Sequence, residues 1–425
     1  RTRVAAGPPP PPRGGPPPGG GPRGGGGGPA ARAGPPPRRD TPPGGPGGAP
    51  AGPPGAPQLT VFAGTRPEIV KLAPVVHALR AAGAGVRVIA TGQHHDRRMA
   101  GSFFADLGVP PDAAWELTGD EPARTGGLLA HALAHFAAGP RPDLAIVQGD
   151  TWTVPLVALA ARRHGVPVAH VEAGLRSHNP LSPEESNRTV AADLATLHFA
   201  PTEGARANLL REGVPAGAVH VVGNTVLDVL RTSGVRAVPV GRRRGVLVTA
   251  HRPGTVDAYE RLAALTATVR ALADAHGPVL FPLHPRTADR LDAHGLRTAL
   301  DHPGVELIEP QPHRRTLELI ASSALVATDS GGLQEEAGWF GVPAVVLRES
   351  TPRPEGVALG QAVLAGLDPE RALAAARRLL DPAEQHRIAG LPCPYGDGRT
   401  GERIADLVLD AYRADRLVLR EPGAA

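Results

Sequence analysis

The sequence contains very little sulfur, because one cysteine, Cys393, and one methionine are all that 425 residues provide. A single cysteine cannot form a disulfide within the chain, and unpaired thiols are typical of reducing compartments. Metal sites built from several cysteines are excluded for the same reason. We therefore expect a cytoplasmic protein whose fold does not depend on disulfides.

Long apolar runs are also missing. A membrane-spanning helix needs about 18 or more consecutive apolar residues, and no stretch of the sequence reaches that length. The N-terminal region lacks the apolar segment of a secretory signal peptide. These absences lead us to expect neither membrane insertion nor export.

Residues 1–57 differ in composition from the rest of the chain. They contain 38 glycines or prolines, seven arginines and one acid, Asp40. Such a segment has almost no apolar surface to bury, so it is predicted to be a disordered, low-complexity tail. Its arginine-glycine pieces leave RNA contact open as an alternative to a solvated extension or a wrongly chosen start codon.

The charge of the chain is divided in the same way. The formal net charge is +4, and the tail holds six more positive than negative groups, which leaves −2 for residues 58–425. The basic character therefore belongs to the tail. The folded part gives no reason to expect nucleic-acid binding.

From residue 58 onward, short β-branched runs alternate with longer helical stretches. Ten strands are predicted in two series, at residues 59–63, 86–90, 144–147, 168–171 and 219–222, and then at 245–249, 279–282, 305–308, 325–327 and 344–347. Continuous apolar strands separated by helices indicate parallel sheets that are covered on both faces. The sequence therefore predicts an α/β fold with two Rossmann-like, doubly wound domains facing a shared cleft.

The predicted domain boundary lies in an arginine-rich connection between the two series of strands. It gives an N-terminal domain at residues 58–232 and a C-terminal domain at residues 233–400. The last helix, within residues 401–425, follows a turn-rich segment. We predict that this helix crosses back to the N-terminal domain.

The first polar motif follows the first predicted strand and runs from Gly64 to Lys71. Thr65 and Glu68 have the spacing of a capping box, so a helix begins here with free amide groups and the positive end of its dipole. Arg66 and Lys71 would add positive charge for an anion. Lys71 is the only lysine beside 44 arginines, which indicates a need for a compact ammonium group. The alternative is an ordinary cap with a surface lysine.

Two carboxylates follow later strands of the N-terminal domain. Asp150 comes directly after an apolar strand, where an acid often only caps the next helix. Glu172 lies between apolar residues and a glycine, so we expect it to be partly buried with a raised pKa. The alternative for Glu172 is a structural pair with Arg176.

A third carboxylate, Glu184, is found at a predicted helix start. With Ser182 as N-cap and Pro183 at the first helical position, Glu185 is expected to fold back onto the cap amide. Glu184 is then free to face the cleft, unless it serves only the helix dipole.

In the C-terminal domain, His251 and Arg252 follow a predicted strand. A histidine and an arginine at that point can stabilise a leaving phosphate, although a structural imidazole is the alternative for His251. Arg353 follows a later strand and can reach the same cleft.

The most specific motif is a strand that runs into Ser330, Gly331 and Gly332 and then into a helix. The glycines allow close backbone approach, and the helix N-terminus offers amide groups to a diphosphate. Glu336 lies one turn later, where its carboxylate can accept both ribose hydroxyls. A plain glycine turn is the alternative. The motif is neither a dinucleotide fingerprint nor a P-loop, so NAD and P-loop ATP chemistry are not indicated.

Three carboxylates and a diphosphate cradle suit proton transfer on a sugar whose anomeric carbon carries a nucleoside diphosphate. In their order along the chain, the motifs resemble the non-hydrolysing UDP-N-acetylglucosamine 2-epimerases. The resemblance extends over about residues 59–407. Its motifs are Gly64-Thr65-Arg66-Pro67-Glu68, Gly92-Gln93-His94, Gly149-Asp150-Thr151, His170-Val171-Glu172-Ala173-Gly174-Leu175-Arg176, Pro183-Glu184-Glu185, Gly223-Asn224-Thr225, His251-Arg252, Thr328-Asp329-Ser330-Gly331-Gly332, Gln334-Glu335-Glu336, Arg353-Pro354-Glu355 and Pro394-Tyr395-Gly396-Asp397-Gly398.

The resemblance implies a glycosyltransferase-B architecture with UDP bound between the domains, mostly on the second. It also implies reversible conversion of UDP-N-acetylglucosamine to UDP-N-acetylmannosamine, through 2-acetamidoglucal, without a cofactor or an obligatory metal. The implied catalytic residues are Asp150, Glu172 and Glu184. The implied substrate-binding residues are Arg66, Lys71, His251, Ser330, Gly331, Gly332, Glu336 and Arg353. A homodimer and a place in cell-envelope polysaccharide synthesis are further implications.

Some residues depart from the family pattern or point to a second site. Gln93, His94 and His284 are candidates for a second or regulatory nucleotide-sugar site, although Asp96 replaces a glutamine that regulated members carry. Gly254 and Thr255 stand where many members have an acid and an asparagine. The alternatives left open are a hydrolysing relative that releases N-acetylmannosamine and UDP, a 2-epimerase of a modified UDP-sugar, a glycosyltransferase on the same fold, and a nucleotide-sugar sensor without turnover.

Overall fold

The computed structural model describes residues 55–93, 104, 107–139 and 141–419. Most of the predicted tail, residues 1–54, lies outside the described residues, and so do His94 and Asp96. The described part contains two parallel β-sheets surrounded by helices, which confirms the predicted α/β class.

The first sheet has seven strands in the described residues. They are β1 (Gln58–Ala63), β2 (Gly85–Ala90), β3 (Ala113–Ala114), β4 (Leu144–Gln148), β5 (Val168–Val171), β6 (Leu197–Ala200) and β7 (Val219–Val221). The helices between and after them are Arg66–Ala81, Glu121–Ala138, Thr153–Arg163, Pro183–Leu194, Glu203–Arg211 and Val226–Thr232, with a short 3₁₀ helix at Ala216–Ala218.

The second sheet has six described strands. They are β8 (Val246–Thr249), β9 (Val279–Pro282), β10 (Val305–Ile308), β11 (Leu325–Thr328), β12 (Ala344–Val346) and β13 (Ala362–Leu364). The accompanying helices are Pro253–Val256, Tyr259–His276, Pro285–Ala293, His313–Ser322, Gly331–Trp339, Pro354–Ala358, Pro369–Leu379 and Pro382–Ala389, and 3₁₀ helices occur at Val240–Arg242 and Arg297–Leu300.

The strand order locates one switch point in each sheet. The first sheet runs β3-β2-β1-β4-β5-β6-β7 and the second runs β10-β9-β8-β11-β12-β13, with every pairing parallel. The direction in which strands are added therefore reverses between β1 and β4, and again between β8 and β11. Ligands of such folds bind beyond the strand C-termini at these points.

Each sheet is covered on both faces. Along β1, Val61 belongs to one buried cluster and Phe62 to another, because successive side chains of a strand point to opposite faces. Val246 and Leu247 of β8 divide in the same way. Burial on both faces explains why these strands read as continuous apolar runs rather than as alternating patterns.

The ten predicted strands are present to within one residue at each end, and three short strands were missed. The missed strands, β3, β6 and β13, have two, four and three residues. With two residues, β3 is too short for a periodicity to be recognised. β6 and β13 are no shorter than the predicted β5 and β12, so their length does not explain why they were missed.

The last helix, Thr400–Arg413, follows the second sheet in sequence but packs on the first. Its residues Ile404 and Val408 are buried in the same cluster as Val61. The carboxylate of Asp228 accepts hydrogen bonds from the backbone amides of Thr400, at 3.1 Å, and of the next residue, at 2.8 Å. The C-terminal helix therefore completes the hydrophobic core on one face of the first sheet.

Among the described residues, no helix is both long enough and apolar enough to cross a membrane.

Candidate functional site

The helix Arg66–Ala81 begins directly after β1 with the predicted capping box of Thr65 and Glu68. One oxygen of Glu68 accepts hydrogen bonds from the backbone amides of Gly64, at 2.6 Å, and Thr65, at 2.8 Å. The other oxygen accepts a hydrogen bond from the hydroxyl of Thr151, at 2.5 Å. Burial nevertheless raises the pKa of Glu68 to about 7. This carboxyl group thus joins the loops that follow β1 and β4 across the first switch point.

Asp150 lies in the loop after β4 and is held by the helix Pro183–Leu194. The amide of Asn187 donates to the Asp150 backbone carbonyl, at 2.9 Å, and the guanidinium of Arg188 donates to the Asp150 carboxylate. About a third of the Asp150 side chain is exposed, whereas Arg188 is buried. Asp150 is therefore fixed in place but open to a ligand.

Glu172, at the end of β5, is the most heavily paired carboxylate of the site. Its Oε2 lies 2.6 Å from Lys71 Nζ and also accepts a hydrogen bond from the Gln148 amide. Its Oε1 lies 2.5 Å from Arg353 Nη2 and 3.5 Å from the Asn224 amide. The backbone of Glu172 has a φ of 65°, a left-handed conformation that is rare for residues other than glycine. Such strain persists only where the surroundings determine the conformation.

These contacts contradict two expectations for Glu172. Burial alone would raise its pKa, but the charges of Lys71 and Arg353 outweigh burial and lower the pKa to about 2. The prediction of a raised pKa is therefore wrong for this structure, because two cations meet the carboxylate. The alternative pairing with Arg176 is also wrong, since that guanidinium binds both carboxylate oxygens of Glu212, at 2.7 and 2.5 Å.

Arg353 connects the two halves of the site. It follows β12 of the second sheet, yet it binds Glu172 of the first sheet and, through Nε, Glu335 at 2.7 Å. The Asn224 amide donates to the same Glu335 oxygen, at 2.9 Å. Lys71, Glu172, Arg353 and Glu335 thus form a buried network of two cations and two carboxylates, and burial of this kind is tolerated only when each charge is paired.

At the second switch point a buried carboxylate again joins two loops. Asp329, after β11, accepts hydrogen bonds from the backbone amides of His251, at 3.1 Å, and Arg252, at 2.9 Å, both after β8. The helix Gly331–Trp339 then begins with Ser330 as N-cap. A Cβ atom at Gly331 would lie 3.3 Å from the Arg353 guanidinium. Glycine at this position lets the cation lie against the helix N-terminus.

Glu336 lies one turn further along this helix. One of its oxygens is 3.3 Å from His313 Nε2, and this hydrogen bond raises the pKa of His313. The other oxygen is buried and has no hydrogen-bond partner among the described residues. A buried acceptor without a partner is costly, so this oxygen is available to a hydroxyl group of a ligand.

A cavity of about 460 Å³ lies between the two switch points. Ten of the predicted site residues line it, namely Arg66, Lys71, Asp150, Glu172, His251, Ser330, Gly331, Gly332, Glu336 and Arg353. The loops of both sheets therefore contribute to one cavity. A larger groove of about 910 Å³, near Trp339 and Cys393, contains none of these residues.

Glu184 is not among the residues that line the cavity. Its carboxylate accepts a hydrogen bond from the Ser182 hydroxyl at 2.5 Å. Burial opposes ionisation, but this hydrogen bond and the nearby charge of Arg252 hold the pKa of Glu184 below its usual value.

The expected contact of Glu185 with the helix cap is wrong. Glu185 instead accepts hydrogen bonds from the backbone amides of Ser177, at 2.9 Å, and His178, at 3.1 Å. It also pairs with Arg188, at 2.8 Å. The amide of Ser182 is satisfied by the backbone carbonyl of Asn179, at 3.0 Å, so no donor is left there for Glu185.

Two of the three candidates for a second site, Gln93 and His284, are among the described residues, and neither of them lines the cavity. Gln93 accepts a hydrogen bond from the Thr153 hydroxyl, at 2.7 Å, and His284 stacks on His251 with ring centroids 5.1 Å apart. His94 lies outside the described residues. A regulatory role for these residues stays a prediction.

Several residues of the site were not singled out from the sequence. Gln148 is the last residue of β4 and Asn224 stands in a recognised motif, but nothing in the sequence marks either of them as a partner of Glu172. Glu335 was overlooked beside Glu336, although a second acid in one helical turn is a usable signal. His313 begins a helix after a polar loop, and no local pattern distinguishes it. Among the described residues, no group of three or more histidine, cysteine or acidic side chains is arranged to hold a metal ion.

Two facing parallel α/β units with a cavity between their switch points form a glycosyltransferase-B architecture. The chain belongs to the UDP-N-acetylglucosamine 2-epimerase family, whose sequence profile matches residues 77–409. It is similar to the UDP-N-acetylglucosamine 2-epimerase of Methanocaldococcus jannaschii, with 35% identity over 367 residues, 83% of this chain and 98% of the relative. A similar protein of the same name in Bacillus subtilis is 37% identical over 370 residues, which cover 83% of this chain and 95% of the relative.

Solved structures of this family show the same architecture. The M. jannaschii enzyme in complex with UDP-GlcNAc and UDP has a TM-score of 0.74, and the match covers 83% of this chain and 99% of that one. The UDP-GlcNAc 2-epimerase of Neisseria meningitidis bound to UDP-GlcNAc is 31% identical, with a TM-score of 0.73 and the same coverage of both chains.

Proposed function

We propose that this protein reversibly converts UDP-N-acetylglucosamine to UDP-N-acetylmannosamine by eliminating UDP and adding it back. The observation that carries the proposal is the shared cavity. The first sheet brings carboxylates to it, and the second sheet brings a glycine-bordered helix start next to Arg353. Relatives with bound UDP-GlcNAc belong to the same family, which supports a UDP-sugar as the substrate.

The UDP group is proposed to lie against the second sheet. Backbone amides at Gly331 and Gly332 and the guanidinium of Arg353 would bind the diphosphate next to Ser330. The buried oxygen of Glu336 that has no hydrogen-bond partner among the described residues would accept a ribose hydroxyl. The backbone amides are already in place, so they stabilise the charge that develops on departing UDP without a cost of reorganisation during the reaction.

The reaction requires proton transfer at C2 of the sugar. A carboxylate removes the C2 proton, the C1–O bond breaks with its electron pair leaving on UDP, and 2-acetamidoglucal forms. The reverse addition restores the C1–O bond while a proton reaches the opposite face of C2. Inversion needs proton-transferring groups on both faces of the ring. Asp150 and Glu172, which line the cavity, are proposed for this role together with Glu184.

The pairing of Glu172 suggests how substrate prepares this set. Without ligand, Lys71 and Arg353 hold Glu172 ionised. A bound diphosphate offers these cations a stronger anionic partner, so their hold on Glu172 weakens and its pKa rises. A carboxyl group with a pKa closer to neutrality is a better proton carrier. The cations therefore exchange partners as the substrate enters.

A proton NMR time course with UDP-N-acetylglucosamine in heavy water tests the proposal. The expected result is a mixture of the two UDP-sugars with deuterium incorporated at C2, and no acceptor sugar is needed. Stoichiometric release of free UDP and N-acetylmannosamine would assign the hydrolysing reaction instead. UDP binding with an unchanged spectrum and no deuterium uptake would contradict any epimerase acting on this substrate.

A further inference from the structure

Each residue of the loop Gly149-Asp150-Thr151 after β4 is held by a hydrogen bond to a different side chain. The ring of His170 hydrogen-bonds to the Gly149 carbonyl at 2.8 Å, and the Asn187 amide donates to the Asp150 carbonyl at 2.9 Å. The Thr151 hydroxyl donates to Glu68 at 2.5 Å. Each anchor comes from a different element, namely β5, the helix Pro183–Leu194 and the helix Arg66–Ala81. The position of Asp150 is therefore set from three sides.

The Thr151 anchor differs from the other two because Glu68 also fixes the loop after β1. The same carboxyl group holds the amides of Gly64 and Thr65, directly before Arg66. Glu68 is almost completely buried, with 2% of its surface exposed, so water does not compete for these hydrogen bonds. Glu68 thus fixes the loop that carries Arg66 relative to the loop that carries Asp150.

We propose that Glu68 and Thr151 form a positioning pair that holds the Asp150 carboxylate at the distance from the bound sugar that proton transfer requires. This inference rests on the proposed function, in which Asp150 belongs to the proton-transferring set. Neither member of the pair exchanges a proton with the sugar. Their contribution is geometric, and displacement of a reacting group by about 1 Å can cost about 100-fold in rate.

The variant Thr151→Val tests the pair, because valine has the shape of threonine but donates no hydrogen bond. We expect kcat and the rate of deuterium uptake at C2 to fall together by about 30- to 100-fold. The Kd for UDP, measured by titration calorimetry, should stay within about threefold, since the proposed diphosphate contacts lie on the second sheet. Thr151→Ser restores the hydroxyl and should recover most of kcat.

The matched control is Thr268→Val in the helix Tyr259–His276. Thr268 is buried whereas Thr151 is half-buried, and the Thr268 hydroxyl donates one hydrogen bond, to the Ala264 carbonyl at 2.8 Å. Thr268→Val therefore also removes one threonine hydrogen bond, and it should leave kcat unchanged whatever its effect on the melting temperature. A purely structural role for Thr151 predicts the same behaviour in both variants.

A double-mutant cycle with Glu68→Gln completes the test. If the two residues act as a pair, Thr151→Val should cost much less in the Glu68→Gln background than in the wild type. Fully additive losses, or a Thr151→Val variant with wild-type kcat, would overturn the inference. Absence of C2 exchange in the wild type itself would instead overturn the proposed function, so the two failures are distinguishable.

Discussion

The two switch points of the molecule have the same topology but present different chemistry to the cavity. At each, a buried carboxylate joins the loops that follow two adjacent strands, Glu68 at the first and Asp329 at the second. At the first, the joined loops project charged side chains, among them Asp150 and Arg66. At the second, they present a glycine-bordered helix N-terminus together with the side chains of His251 and Arg252. The glycine-bordered helix start is therefore what distinguishes the second switch point from the first.

This difference suggests a division of labour between the sheets. Backbone amides do not titrate, so they suit a diphosphate whose charge must be stabilised throughout the reaction. Side chains are needed where protons are exchanged. Changes at the first switch point should therefore reduce turnover, and changes at the second should reduce UDP affinity.

The largest effect is expected from removing a proton-transferring carboxylate. Asp150→Asn or Glu184→Gln should lower kcat by about 10³-fold, because an amide cannot accept the C2 proton. The Kd for UDP should change by no more than a few-fold. Asp193→Asn, an exposed acid on the helix Pro183–Leu194, is the control with expected wild-type turnover. Comparable losses of UDP affinity and kcat would mean that these acids are structural and would abolish the division proposed here.

A second prediction concerns pH and the buried Glu68. Its pKa is raised from 4.5 to about 7 in the folded protein, so its protonated form is favoured by folding. The resulting stabilisation is complete below about pH 4.5 and is lost as the pH rises through 7, by about 3 kcal/mol in total. Urea unfolding at pH 5 and pH 8 should show this change in the wild type relative to Glu68→Gln, which does not titrate. An equal difference between the two proteins at both pH values would show that Glu68 is ionised throughout.

The third prediction is that Lys71→Arg lowers kcat/KM by about 30-fold although the charge is kept. Lys71 Nζ lies 2.6 Å from Glu172 in a space that it shares with Arg353. A larger, planar guanidinium overfills this space, at a cost of about 2 kcal/mol. Steady-state kinetics of Lys71→Met, which loses the charge, and of Lys71→Arg, which keeps it, separate the effect of side-chain size on kcat/KM from the effect of charge. Wild-type turnover in the arginine variant would refute the need for a compact ammonium group.

The smallest effect tests the second switch point. Gly331→Ala places a Cβ atom 3.3 Å from the Arg353 guanidinium, which must then shift by a few tenths of an ångström. We expect the Kd for UDP to rise by about fivefold, which corresponds to about 1 kcal/mol, with little change in kcat. Gly241→Ala, where the added atom meets open space, controls for the substitution itself. A kcat defect larger than the affinity defect would contradict the assignment of this loop to UDP binding.

The strands and the loops at their ends were predictable because burial on both faces leaves long apolar runs, and polar residues directly after such runs mark the cavity. The pairing within the site was not predictable. Glu172 meets Arg353 across 181 positions of sequence, and only the folded chain brings a cation of one sheet to a carboxylate of the other. The residues next to Glu172 in the sequence predict burial and therefore a raised pKa. The charges of Lys71 and Arg353, which are distant in the sequence, lower the pKa instead.

The same limit applies to the hydrogen bonds of short loops. The capping box of Thr65 and Glu68 spans three positions and is present as predicted. Glu185 has the same relation to its cap, but Ser177 and His178 approach it from an adjoining loop and provide better donors. The disordered tail, the regulatory residues Gln93, His94 and His284, and the homodimer remain predictions.

The helix Thr400–Arg413 has a consequence for the order in which the protein is made. The core beneath β1 contains Ile404 and Val408, which leave the ribosome after nearly all other described residues. Until then, the apolar surface that they cover remains open to solvent, and the N-terminal half cannot reach its final stability during translation. The second sheet has no such dependence on the last helix, so its core can close while synthesis is still under way. Vectorial synthesis would therefore complete the part of the protein built on the second sheet before the part that bears Asp150 and Glu172.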